Sequence, residues 1–152
     1  FGMRVSACDH KLITLAPEVT PVDFSTLLRE SDILSIHVHL TPENHHLFNR
    51  DVFAQMKPGA ILLNTSRGAI IDETALCAAL ESGHLSGAGL DVIDGEWNSD
   101  LKNHPLIAYA RRHQNVVSSP HIGCVTIEAQ RDTLEFTARK LADFLSQSKV
   151  NN

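Results

Sequence analysis

Short apolar runs alternate with polar, helix-forming stretches along this chain, and no other feature limits its possible folds so strongly. Residues 3–9 suit a strand, and Pro17, Pro21 and Asp23 lead into a short helix over 24–30. The β-branched run 33–38 predicts a second strand, 41–44 a turn, and 50–56 a helix stopped by Pro58-Gly59. Residues 60–63 are apolar without interruption, as in a strand covered on both faces. A helix over 72–82 follows, with an acidic N-cap and Gly83 past its end. Residues 85–92 predict a strand, Pro105 opens a helix over 106–112, and Val116-Val117 lies in a last short strand. In the closing helix Leu134, Ala138, Leu141 and Leu145 fall on one face. Strand–helix units in this rhythm predict an α/β fold, a parallel sheet with helices on both faces.

Composition narrows the class further. The chain has 152 residues, 43% of them hydrophobic, which suits one core and one domain. A net charge of −5 with no Lys/Arg stripe argues against a nucleic-acid partner. No apolar stretch approaches the roughly 20 residues that span a bilayer, so no membrane partner is expected. Cys8, Cys77 and Cys124 are odd in number and far apart, which suggests neither a disulfide framework nor a zinc knuckle and fits a cytoplasmic location. The chain opens on Phe1 rather than Met, and the expectation is a piece of a longer protein.

In an open parallel sheet, ligands bind beyond the carboxyl ends of the strands. Arg67, Glu96 and His121 all occupy such places. The polar turn Asn64-Thr65-Ser66-Arg67-Gly68 offers backbone N–H groups, hydroxyls and a guanidinium, whose planar fork matches a carboxylate; the alternative is a surface Arg closing a loop. Asp91 ends the next strand and Glu96 follows in the same turn. His121 sits in Ser119-Pro120-His121-Ile122-Gly123. If Glu96 accepts a hydrogen bond from one ring nitrogen of His121, the other nitrogen is left to exchange a proton with a substrate. Taken singly, Asp91, Glu96 and His121 are more often a solvated loop acid or a satisfied turn histidine, since catalytic use needs geometry that no sequence shows. Asp9, ending the first strand, could hold a ribose diol or cap a loop. His37 and His39 share one side of a strand, with His45-His46 nearby, yet no cysteine or acid completes a recognised ligand spacing there, and no metal site is expected.

These motifs, with Ser31 to Val38, Leu40-Thr41-Pro42-Glu43, Lys57-Pro58-Gly59-Ala60 and Leu90-Asp91-Val92, closely resemble the NAD-binding domain of the D-isomer-specific 2-hydroxyacid dehydrogenases over nearly the whole chain. The resemblance implies a Rossmann-like doubly wound sheet, NAD as cofactor, and a small D-2-hydroxy or 2-oxo acid as substrate. It also implies that Arg67 clamps the substrate, His121 is the acid/base and Glu96 orients its ring. Asp9 would bind the adenosine ribose, and Thr65, Ser66, Arg67, Asp91, His121 and Gly123 would line the nicotinamide side. His39, Trp97 and Cys124 depart from the family's usual residues without removing a catalytic group. The family's first strand and glycine-rich pyrophosphate loop, and its substrate domain, are not in this sequence. Residues 1–152 are therefore expected to be a partial NAD-binding domain with weak or no NAD binding and little activity alone. Exposed sheet edges or apolar faces are expected to drive homo-oligomer formation. The alternative is a non-enzymatic binding or assembly module that retains the fold.

Overall fold

The computed structural model describes residues 2–11, 15–98 and 101–150. The chain divides into two compact units, Phe1–Ser118 and Ser119–Asn152. The first holds two parallel sheets. One pairs β1 (Val5–Ala7) with β2 (Val19–Pro21). The other contains β3 (Ile33–Ile36), β4 (Ala60–Asn64), β5 (Leu85–Leu90) and β6 (Val116–Ser118) in that spatial order. The helices are α1 (Phe24–Glu30), α2 (Arg50–Gln55), α3 (Glu73–Glu81) and α4 (Pro105–Ala110). Single 3-10 turns lie at Pro42–Asn44, Gly68–Ile70 and Leu101–Asn103.

Local chemistry starts the helices where the sequence suggests. The Asp23 carboxylate accepts the Thr26 N–H, Asn49 accepts from Asp51 and Val52, and Asp72 accepts from Ala75, each satisfying donors left over at a helix start. Pro105 opens α4 at a position where no donor is needed.

The ladder places Leu34, Leu62, Ala88 and Val116 side by side on one face of the larger sheet. These pack into one buried cluster with Leu28 of α1, Phe53 of α2, Leu76 and Leu80 of α3, and Leu106 and Tyr109 of α4. All four helices of this unit thus cover the same face. The reason is geometric: the strand order runs in one direction, and right-handed crossovers between successive parallel strands then fall on one side. Helices on the second face require the order to reverse. In this unit the reversal would lie beside β3, but β1 pairs with β2 rather than with β3. On the other face Ile33, Ile61 and Val117 are exposed.

The strand β2 is absent from the sequence-based expectation because Pro17 and Pro21 suggest a loop. Pro21 is tolerated as the last residue of an edge strand, where its missing N–H breaks no ladder. The strands β1 and β3 are also shorter than expected. The second unit consists of a turn and the helix α5 (Ile127–Val150), which starts with the Thr126 hydroxyl accepting the Ala129 N–H. Among the described residues no helix is long and apolar enough to cross a membrane.

Candidate active site

The 64–68 loop leaves the carboxyl end of β4 and is held from several directions. Asn64 is fully buried; its side-chain carbonyl accepts the Ser66 N–H at 3.0 Å and its amide donates to the Arg67 carbonyl at 3.0 Å. A buried amide must satisfy both ends, and here both fasten the same tight turn. The Ser66 hydroxyl donates to the Ile36 carbonyl at 2.9 Å, tying the loop to the end of β3. On the other side the Asp91 N–H donates to the Asn64 carbonyl at 3.0 Å, tying it to the end of β5. Arg67 and Thr65 are exposed on this fixed turn. The Arg67 guanidinium uses Nη1 to donate to the Ser66 carbonyl at 2.6 Å, which orients the fork at the sheet's carboxyl edge.

Gly68 sets how closely the next loop approaches. A Cβ there would collide with the backbone of Ile93 and Asp94, so glycine is required for the segment after β4 to lie against the segment after β5. Asp91 and Glu96 on that second segment are half-buried, and Gly95 between Asp94 and Glu96 takes the left-handed conformation, φ +67°. Arg67, Asp91 and Glu96 therefore belong to two loops that Gly68 allows to touch. Neither Asn64 nor Gly68 has a role in the sequence-based site. The signal was an Asn ending an apolar strand ahead of a Ser and a Gly, the composition of a side-chain-closed turn.

Below these loops lies a polar pair that the sequence reading also missed. Glu73, in the first turn of α3, accepts the Asp94 N–H at 2.8 Å, and His104 Nε2 lies 3.2 Å from its other oxygen. Burial holds the Glu73 carboxyl above the ordinary carboxylate range, against the lowering influence of the Asp94 N–H and the His104 ring.

Asp9 lies at the end of β1, in the smaller sheet. It is exposed, accepting the Lys11 N–H at 2.8 Å with His10 Nδ1 3.4 Å away. That self-closed turn is compatible with either a ligand role or a loop cap. His121 belongs to the second unit, half-buried in the turn before α5, and takes φ +53°. A left-handed histidine is uncommon and marks a backbone held by its surroundings. Gly123 and Cys124 follow it, both exposed.

A parallel α/β unit with a donor-rich, pinned loop beyond β4 and an acid at the end of β5 has the architecture of the Rossmann class, in which ligands bind beyond the strands' carboxyl ends. Residues 1–123 match the family described as D-isomer specific 2-hydroxyacid dehydrogenase, NAD binding domain, and the chain belongs to that family. It is 46% identical to the glyoxylate reductase of Thermococcus litoralis over 152 residues, 95% of this chain and 42% of that protein. It is 40% identical to a D-specific alpha-keto acid dehydrogenase of Enterococcus faecium, across 95% of this chain and 46% of the relative. The crystal structure of D-lactate dehydrogenase with NAD+ from Lactobacillus jensenii superposes with a TM-score of 0.82 at 32% identity, covering 91% of this chain and 44% of that one. The chain thus spans less than half the length of these relatives.

Proposed function

We propose that the protein containing this chain transfers a hydride between NAD(H) and a small D-2-hydroxy acid or 2-oxo acid. The observation that carries this reading is the pinned 64–68 loop, which holds the exposed Arg67 fork at the carboxyl end of a central strand. Such a fork can take a substrate carboxylate in two parallel hydrogen bonds and polarise the adjacent carbonyl. His121 is the proton carrier: protonated, it donates to the keto oxygen during reduction; neutral, it accepts the hydroxyl proton during oxidation. Glu96 is the proposed positioning residue for that ring.

The nicotinamide, when bound, supplies or accepts the hydride. Thr65 and the half-buried Asp91, at the ends of β4 and β5, fit its side of the cofactor, and the exposed Asp9 carboxylate fits a ribose diol. Ser66, by contrast, commits its hydroxyl proton to the Ile36 carbonyl, so it acts through the loop's shape. No Gly-x-Gly-x-x-Gly occurs in residues 1–152, and the backbone donors such a loop brings to a pyrophosphate are its usual main partner. Residues 1–152 are accordingly read as part of an NAD-binding domain, binding NAD weakly and turning over little or nothing alone.

The test is an NADH-oxidation assay of the full-length protein against a panel of 2-oxo acids that includes glyoxylate, hydroxypyruvate and pyruvate. Arg67→Gln and His121→Asn should each lower kcat/KM by about 100-fold or more. Undiminished turnover in both variants would sink the assignment. A second reading, a non-enzymatic assembly module, is favoured by the exposed apolar residues Ile33, Ile61 and Val117. Calorimetry with NADH and a light-scattering mass separate the two: no binding by a stable oligomer favours the module.

A further inference from the structure

Two adjacent side chains on an extended strand point to opposite faces, but those of His45 and His46 do not. His46 adopts φ +53°, and this left-handed kink brings the two rings to one side with centroids 4.0 Å apart and planes inclined by 30°. The acid that no recognised ligand spacing supplies arrives from the loop after β5. One ligand atom each from His45, His46 and Asp94 lies within 4.8 Å of the others, and all three residues are exposed. We propose that His45, His46 and Asp94 form a binding site for a divalent transition-metal cation, zinc above all. This reading is independent of the dehydrogenase function.

The three residues are presented by a braced framework. The His46 N–H donates to the Ala69 carbonyl at 2.9 Å, and the Phe48 N–H donates to the Ile70 carbonyl at 3.1 Å, which fixes the histidine turn to the Gly68–Ile70 segment. Gly68 in turn packs against the backbone of Ile93 and Asp94. Asp94 is held further by its own backbone, its N–H donating to Glu73 Oε1 at 2.8 Å. Its carbonyl lies 3.0 Å from His104 Nε2. Because that nitrogen faces two acceptors, the Asp94 carbonyl and Glu73 Oε2, it carries the hydrogen and donates. Outer partners of this kind orient ligand-bearing groups and tune metal affinity. The cluster opens beside a cleft of about 150 Å³ lined by His46, Asp72, Glu73 and Asp94, so a cation and its waters have access.

Two imidazoles and one carboxylate suit zinc, which takes nitrogen and carboxylate oxygen at about 2.0–2.2 Å and leaves a fourth tetrahedral position for water. Around such an ion, ligand atoms sit about 3.4 Å apart, so exposed side chains 4.8 Å apart or less close onto it by rotation. Magnesium, which prefers oxygen ligands in octahedral order, fits poorly. Occupied, the site would staple the segment after the Pro42–Asn44 turn to the loop that carries Glu96.

Titration calorimetry of this chain with zinc chloride should show one saturable site that magnesium chloride does not reproduce. His46→Ala and Asp94→Asn should each weaken zinc binding by about tenfold or more, while His37→Ala, just past the end of β3, should leave it unchanged. Far-ultraviolet circular dichroism checks that each variant is folded; should one unfold, His45→Ala takes its place, since its side chain is exposed. Absence of a saturable zinc site would overturn the proposal. So would affinity unchanged in the folded variants, or magnesium binding as tight as zinc.

Discussion

The two faces of the larger sheet are built from the same strands and differ in what covers them. On one, Leu34 and Leu62 are 3% and 0% exposed beneath four helices; on the other, their sequence neighbours Ile33 and Ile61 are 48% and 37% exposed. The alternation of a β-strand makes one residue core and the next surface, so adjacent aliphatic residues with similar propensity carry different energetic weight. The covered face therefore supplies the hydrophobic stabilisation of this unit, roughly 25 cal/mol per Å² of apolar surface removed from water. The other face is apolar by sequence without gaining that benefit within the unit.

Truncating one residue from each face is the strongest test. Leu62→Ala removes a side chain with no exposure from the middle of the buried cluster and should cost about 2–5 kcal/mol in urea unfolding, the usual price of a core cavity. Ile61→Ala, one residue earlier on the same strand, should cost about 1 kcal/mol or less, mostly through lost strand propensity. Equal losses would mean that the second face is also covered in solution, for instance by another copy of the chain.

A smaller effect is expected where the covered face meets the site. Asn64 continues the buried row of β4, yet it is polar and spends both ends of its amide on the Ser66 N–H and the Arg67 carbonyl. Asn64→Ala should destabilise by about 1–3 kcal/mol, since it removes the partners of groups near the interior. If the proposed dehydrogenase function holds, it should also lower the activity of the full-length protein by loosening Arg67. A variant that loses stability but keeps full activity would show that the turn holds its shape without the amide.

The sequence disclosed these layers unevenly. The rhythm of apolar runs located β3, β4, β5 and β6 and the helices between them, because each element carries its own periodicity and cap. It placed Arg67 after β4 and Asp91 after β5, since a strand's end is a local property. What it could not disclose depends on contacts between distant segments. The approach of Asp94 to His45 and His46 follows from Gly68 lying flush against another loop's backbone, and a lone glycine in a sequence does not say what it touches. The pairing of β1 with β2 was hidden for a different reason, Pro21 being admissible only because its strand is an edge. The motif resemblance supplied roles for Arg67, Glu96 and His121 that residue spacing alone left open.

The smallest effect concerns the covering layer, where α3 carries Glu73 almost out of water. Burial disfavours its charged form, so the folded chain holds that proton more tightly than the unfolded chain does. Stability then depends on pH as the difference in bound protons: its contribution is fully present below the ordinary carboxylate range and is lost as pH rises through the raised folded value. Asp23, Asp32 and Glu43 run the opposite way. Hydrogen bonds from Thr26, Lys57 and Thr41 respectively lower their carboxyls, so their contributions appear as pH rises above the folded values. The wild-type profile alone therefore mixes both signs. Comparing it with Glu73→Gln removes this carboxyl's titration: the amide oxygen can still accept the Asp94 N–H, and the loss of an acceptor for His104 Nε2 adds a cost that the amide carries at every pH. The variant should gain stability relative to wild type on going from acidic to neutral conditions, measured as the urea midpoint at each pH. A difference that shrinks instead would mean that the contact with the His104 ring, 3.2 Å from the carboxylate, outweighs the cost of burying it.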